Sequence, residues 1–319
     1  MAEWLVEQGI GEERALLIDG DAAIGAALRW PGRLEAGLVE DAVLVSRQRG
    51  SGRGTAQFAG GEEALVDRLP RDAGEGAHIR LEVTRPALGE AARTKRAHAR
   101  PSQAACRAAP ELAEVLGARR VHAFPPGSWE EVWAEARAGT VDFSGGSLVF
   151  SPTPAMTLVD IDGTLPPRDL ALAAVDPLAR ALRRFGIGGM VGVDFPTLSA
   201  KEDRKAVDRA LGIALADRDH ERTAMNGFGF VQIVSRLERA SLLHLLHQRP
   251  ASAAARFLLR QAEGVTGPGA IELAAHPAVV QRIEPAWLDE LARRTGREVT
   301  TRPEPALALH AAFAQAVAR

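Results

Sequence analysis

The sequence predicts an α/β protein with a small β-barrel or meander near its N-terminus, on three observations. Two apolar strand-like runs, Met156–Val159 and Met190–Val193, each end in an aspartate and are followed by helical stretches. Short apolar runs separated by glycine-rich turns fill residues 37–85, as small antiparallel barrels require. At 319 residues, 46% hydrophobic and 25% charged, the chain has material for two or three compact units.

Taken in order, residues 3–30 predict a hairpin around the turn residues Asp19, Gly20 and Asp21. "DAVLVSRQ", "GTAQFA", "EEALVDRLP" and "HIRLEVTR" predict the strands of the barrel. Residues 85–107 are basic: Arg85, Arg93, Lys95, Arg96, Arg100 and Arg107 face one acid, Glu90, for a local charge of +5. Short helices in "PELAEVLGARR" and "SWEEVWAEARAG" lead to two successive strands, "GGSLVFSP" and "MTLVDIDG". Residues 169–185 have helical periodicity; a buried strand ending at Asp194, the helix "SAKEDRKAVDRALGIALADR" and the strand "GFGFVQIVSRL" follow. This β-α-β-α-β order predicts parallel neighbours. The tail predicts a smaller α/β unit ending in a helix.

The formal charge of −2 points to no polyanionic partner on its own. A single cysteine, Cys106, excludes a disulfide framework and a multi-cysteine zinc site within one chain. No apolar run nears the roughly 20 residues of a membrane helix, and the acidic N-terminus is unlike a secretory signal. No membrane association and a cytoplasmic location are expected. The "HLLH" pair at His244 and His247 predicts surface positions, and Trp129 with Trp133 a packing stripe.

Chemistry concentrates in "MTLVDIDG" and "MVGVDF". Asp160 and Asp194 both follow apolar strands and precede helices, the place where open parallel sheets bind ligands. On neighbouring strands ~5 Å apart their charges would repel by roughly 3 kcal/mol at an effective dielectric of 20. A divalent cation removes that cost, and oxygen-only ligands in an incomplete cage suit Mg2+ or Mn2+. The competing reading for each acid is a helix cap. "DIDGT" also has the form of the haloacid dehalogenase nucleophile motif, with Asp160 phosphorylated and Asp162 as acid/base. That motif normally opens its domain, and its downstream lysine and late acidic pair are not recognised here.

From Gly145 to Leu242, "GGSLVFSPTPAMTLVDIDG", "IGGMVGVDF", "DRKAVDRAL" and "ERTAMNGFGFVQIVSR" together resemble the catalytic core of the ribonuclease E/G family of endoribonucleases. The resemblance implies a mixed or parallel α/β core (151–250) with an N-terminal ribonuclease-H-like piece (1–36) and an inserted, shortened OB-type RNA-binding domain (37–100). A remnant of the sensor segment (101–150) and a small C-terminal α/β unit (251–319) complete the expected division.

It implies further that Asp160 and Asp194 are the metal-binding catalytic aspartates. Single-stranded RNA would be cut to 5′-phosphate and 3′-hydroxyl ends. Asp162 stands where the family usually has an asparagine that orients the scissile phosphate. Phe58, Arg93, Lys95 and Arg96 are the expected RNA contacts. The family's arginine before the "FG" strand aligns with Gly227, with Arg236 or Arg239 as substitutes from further along. Phe228 and Phe230 are expected to face the core or pack on the loop after Asp160. The family's zinc-link cysteines are replaced by "HQRPASAAARFLLRQ", so no zinc and no zinc-bridged dimer is expected, and the 5′-end sensor looks largely deleted. The alternatives are an RNA-binding protein on the same scaffold with weak or lost catalysis, and the dehalogenase-type phosphatase.

Overall fold

The computed structural model describes residues 1–32, 34–89 and 94–318. It opens with an antiparallel meander of β1 (Glu3–Gly9), β2 (Glu12–Asp19) and β3 (Ala22–Arg29). The expected hairpin is therefore three strands. Its first turn is marked only by Gly11, at φ 70°, where a Cβ would come within 2.6 Å of the Trp287 ring.

The chain then builds a closed barrel from β4 (Val39–Arg47), β5 (Gly54–Phe58), β6 (Glu63–Val66), β7 (His78–Arg85) and, after the short pair β8 (Leu88–Gly89) and β9 (Thr94–Lys95), β10 (Ala97–Pro101). Strand alternation turns Ala56 and Phe58 inward and leaves Gln57 outside. Phe58 is 3% exposed, in the barrel core with Leu44, Val66 and Leu81. It is not available to stack on RNA, because a barrel this small needs its large side chains as filling. Val39 and Arg107 pair at the neck, so the barrel's two ends leave the body side by side.

Residues 101–150 divide between two sheets. α1 (Leu112–Leu116) packs on the meander and β11 (Arg119–Val121) pairs parallel with β1. α2 (Ser128–Ala138) buries Trp129 and Trp133, and β12 (Thr140–Phe143) and β13 (Gly146–Pro152) begin the central sheet. That sheet continues through β14 (Thr157–Gly163), α3 (Pro167–Arg184), β15 (Gly189–Asp194), α4 (Lys201–Ala214), β16 (Glu221–Arg222) and β17 (Phe230–Ser235), in the order β12-β13-β14-β15-β17-β16. β14 and β15 are parallel neighbours, joined by the α3 crossover. β17 runs antiparallel to β15: β16 forms first at the edge, and the turn after it sends the chain back.

Leu148, Phe150, Val159, Ile161, Val191, Val193, Val231 and Ile233 point to one side of this sheet. There they share a core with α2, α3, α4 and the meander's Leu5, Leu16 and Leu28. The other side carries Leu158, Met190 and Val234, each more than a third exposed, and the aspartates. One face is therefore packed and one is open.

The tail comprises α5 (Leu242–Gln248), α6 (Pro250–Glu263), β18 (Ala270–Ala275), α7 (Pro277–Val280), α8 (Pro285–Thr295), β19 (Val299–Pro303) and β20 (Phe313–Val317), with sheet order β19-β18-β20. The final element is a strand, not the expected helix. "FAQAV" alternates, and it pairs antiparallel with β18.

A buried charge network fastens this tail to the meander. Arg14, 1% exposed, bonds Glu7 at 2.6 Å and Glu12 at 3.2 Å; Arg260 reaches Glu7 at 3.4 Å. Arg256 lies between the Trp30 and Trp287 rings, 4.3 and 4.5 Å from their centroids. Among the described residues no helix is long and apolar enough to cross a membrane.

Candidate active site

The parallel register of β14 and β15 sets Asp160 directly opposite Asp194, the last rung the two strands share. Residues opposed in this way project to the same side of a sheet, with backbones ~4.8 Å apart. Val159 and Val193, one residue earlier, face the packed side and are 1% and 0% exposed, which turns both aspartates to the open side. Both are exposed, and among the described residues neither forms an ion pair. The Asp160 carboxylate accepts a hydrogen bond from the Ile161 N–H at 3.0 Å. Neither acid caps a helix: Pro166 and Ala200 precede α3 and α4.

β14 runs three residues past its last β15 partner, to Gly163. Asp162 therefore lies on the same face as Asp160, ~6.6 Å further along the strand. It stands opposite Ser147 of β13 and beyond the end of β15. The three carboxylates line one open edge. Among the described residues no cluster of three or more His, Cys, Asp or Glu forms a metal cage. What the chain offers a cation is a pair of unpaired carboxylates on one rung. That donor set fits an oxygen-seeking divalent ion that retains most of its waters.

The basic candidates lie elsewhere. Arg93 falls outside the described residues. Lys95 donates to the Pro154 carbonyl, in the loop before β14 and at the end of the strand away from the acids. Arg96 pairs with Glu63 at 3.1 Å, and Arg100 and Arg107 pair with Glu82 at 2.8 and 3.8 Å. The local +5 is thus matched in part, by two acids from other barrel strands, which a count along the chain misses.

Arg236 and Arg239 follow the far end of β17. Arg236 is six residues past Phe230, the partner of Asp194, so it lies ~20 Å from the acid pair along the strands. Both flank Glu238 and line a cavity of 310 Å³ with His244 and Arg249, and burial pushes the Arg239 guanidinium below its usual range. They lie at the opposite end of β17 from Gly227. That glycine needs no special backbone, and a Cβ there would meet nothing within 4 Å. His244 and His247 contact the carbonyls of Gly89 and Ala136, at 2.9 and 3.1 Å, and form no ligand pair.

Two groups at this edge escape the sequence reading. Lys201, the first residue of α4, is exposed and makes no ion pair among the described residues. Phe228 is 81% exposed, neither core-facing nor packed on the loop after Asp160. Phe230 does pack on the sheet: its ring, with Met156 and Leu158, fills the space over Gly192. The signal for Phe228 was its flanking pair, Gly227 and Gly229, which marks a turn before the strand. Gly229 sits at φ 91° with the Phe195 carbonyl 2.3 Å from where a Cβ would be. Gly229→Ala is therefore expected to cost ~1–3 kcal/mol, read as a fall in melting temperature, and to disorder the turn beside Asp194.

The chain is similar in part to known proteins. The model of the "Ribonuclease E/G family" matches residues 94–237. Ribonuclease G of Escherichia coli (strain K12) and of Salmonella typhimurium (strain SL1344) are each 32% identical over 117 residues. Ribonuclease G of Haemophilus influenzae is 32% identical over 115. In each case the match covers 32% of this chain and 23% of the relative. The chain thus spans about a quarter of the length of the curated relatives it matches. The segment from residue 94 to 237, which matches the ribonuclease E/G family model, holds β14, β15 and their facing aspartates.

Proposed function

We infer that the protein is a metal-dependent endoribonuclease that cuts single-stranded RNA, in the cytoplasm, at the open face of its central sheet. The observation that carries this reading is the in-register pair of exposed, unpaired carboxylates at Asp160 and Asp194, within a ribonuclease-family segment. Asp160 and Asp194 would hold Mg2+ or Mn2+, which when bound supplies Lewis acidity and an activated water at the scissile phosphate. The chain's own task is to keep both oxygens on one rung, so that no strand has to move when the charge arrives. Asp162, past the end of β15, would accept a hydrogen bond from the attacking water and orient it while the proton passes to solvent, with Lys201 able to meet a flanking phosphate. Attack of water on phosphorus, with the 3′-oxygen leaving and taking up a proton, would give a 5′-phosphate and a 3′-hydroxyl. An unpaired strand fits better than a duplex, since its backbone can bend onto a flat open face.

The test is cleavage of an unstructured RNA with and without magnesium, followed by end analysis of the products. Asp160→Asn with Asp194→Asn serves as the control. A wild type that binds RNA but cuts no faster than the double variant would leave the second reading, an RNA-binding protein on this scaffold. The phosphatase reading gives Asp194 no partner role, and the register of β14 with β15 weighs against it.

Asp162→Asn restores the residue usual in the family. An amide still accepts a hydrogen bond but carries no charge, so cleavage should persist within about tenfold. The half-saturating magnesium concentration should rise, and metal titration of the cleavage rate reads both effects.

A further inference from the structure

Phe228 stands out among the aromatic side chains. Phe58, Phe124, Phe150, Phe185 and Phe195 are at most 5% exposed, whereas Phe228 keeps 81% of its surface in water. Its mount is not loose. The Asn226 side-chain oxygen accepts from the N–H groups of both Phe228 and Phe230, at 2.9 and 3.0 Å, and the Asn226 carbonyl accepts from Gly229. The Phe195 N–H donates to the Gly229 carbonyl at 3.2 Å, and the Thr197 hydroxyl to the Phe228 carbonyl at 3.4 Å. The turn is thereby latched to the segment that directly follows Asp194. Asp208 braces the loop from the other side, bonding Arg222 and the Met225 N–H. A latched turn that holds an apolar ring out in water gains nothing from burial.

Phe230 is the rung partner of Asp194, and Phe228 lies two residues beyond it. The Phe228 backbone therefore lies within about 12 Å of that of Asp194, since two residues span at most ~7 Å and one strand spacing adds ~5 Å. A ring on that backbone reaches a nucleotide next to a phosphate gripped at Asp160 and Asp194. The geometry points to Phe228 as a stacking platform for the unpaired nucleobase that flanks the scissile phosphate, an inference that rests on the RNA-cleaving reading. Such a platform accepts any base, because every base presents a π-face. It also selects against duplex, whose bases remain stacked on one another.

The test uses the full chain and a short RNA with one cleavage position, with or without an abasic nucleotide on either side of it. Phe228→Ala is expected to lower kcat/KM by about 5- to 100-fold, with Phe228→Trp restoring it. An abasic nucleotide on one side should cost the wild type a similar factor and cost Phe228→Ala little, since both changes remove the same contact. Losses that simply multiply, or a Phe228→Ala protein within twofold of wild type, overturn the inference and leave the nuclease reading standing. If the wild type cuts no RNA, the same four-way comparison is made on equilibrium binding. Coupling there upholds the platform while the cleavage reading falls, and its absence overturns the platform. The abasic substrate probes the contact without altering the protein, so a misfolded variant does not decide the result.

Discussion

Replacing Asp160 or Asp194 with asparagine should lower magnesium-supported RNA cleavage by about a thousandfold or more, and the double replacement should cost little beyond either single one. The magnitude follows from the donor count. Among the described residues the chain gathers only this pair of carboxylates on the rung, with no third ligand to hold an ion when one is lost. Removing a single well-placed charge-stabilising group already costs ~10²–10³ in other enzymes, and here the same change also loosens the ion. Groups that act as a unit give non-additive losses. Single-turnover cleavage rates for the three variants check this. Singles that each lose tenfold, with a double that loses a hundredfold, would mean the two acids work separately. RNA binding measured without metal should change by far less, because neither carboxylate attracts a phosphate by itself.

The second large effect concerns stability. Arg14→Met should destabilise the protein by ~3–5 kcal/mol, the cost of leaving buried charge without its partner. Glu12 suffers most. It is 1% exposed, and besides Arg14 its remaining hydrogen-bond donor is the Trp30 indole, at 3.0 Å. Glu7 retains Arg260 and the Phe124 N–H.

Burial already pushes the Glu12 carboxyl above the usual carboxylate range, with Arg14 foremost among the groups that pull it back. Without Arg14 the folded-state value rises further. A carboxyl whose folded value lies above its unfolded one favours the folded state when protonated and loses that contribution as pH rises through the folded value. The deficit of Arg14→Met should therefore be larger at about pH 8 than at about pH 5, and adding Glu12→Gln should recover part of it at pH 8. Urea unfolding at the two pH values reads both effects. An equal deficit at both would show that Glu12 is not the group left stranded.

The acid pair was legible in the sequence because a strand's period of two is strict. An aspartate that ends an apolar run must leave the core, and a crossover helix between two such runs makes them parallel neighbours. The short strands of residues 37–85 were legible from regular turns, but closure through β10 and which side chains the barrel swallows were not. Phe58 reads equally well as filling or as a stacking surface until the barrel has a measured interior. The first turn of the meander hung on Gly11 alone, whose requirement comes from Trp287, distant in sequence. "FAQAV" is too short and alanine-rich for its period to separate strand from helix, and only the exposed edge of β18 decides it. The ion pairing of the basic segment was hidden for a similar reason. Charge along the chain is local, whereas Glu63 and Glu82 reach Arg96, Arg100 and Arg107 across the barrel wall.

The neck of the barrel has a consequence for how the molecule was assembled. Val39 and Arg107 exchange two backbone hydrogen bonds, of 3.0 and 2.9 Å, so the inserted module departs and returns through a single doorway. A piece joined in that manner can be trimmed, exchanged or lengthened without re-threading the host. Changes of sequence or length within the barrel can therefore accumulate while the rung that pairs the two aspartates stays as it is.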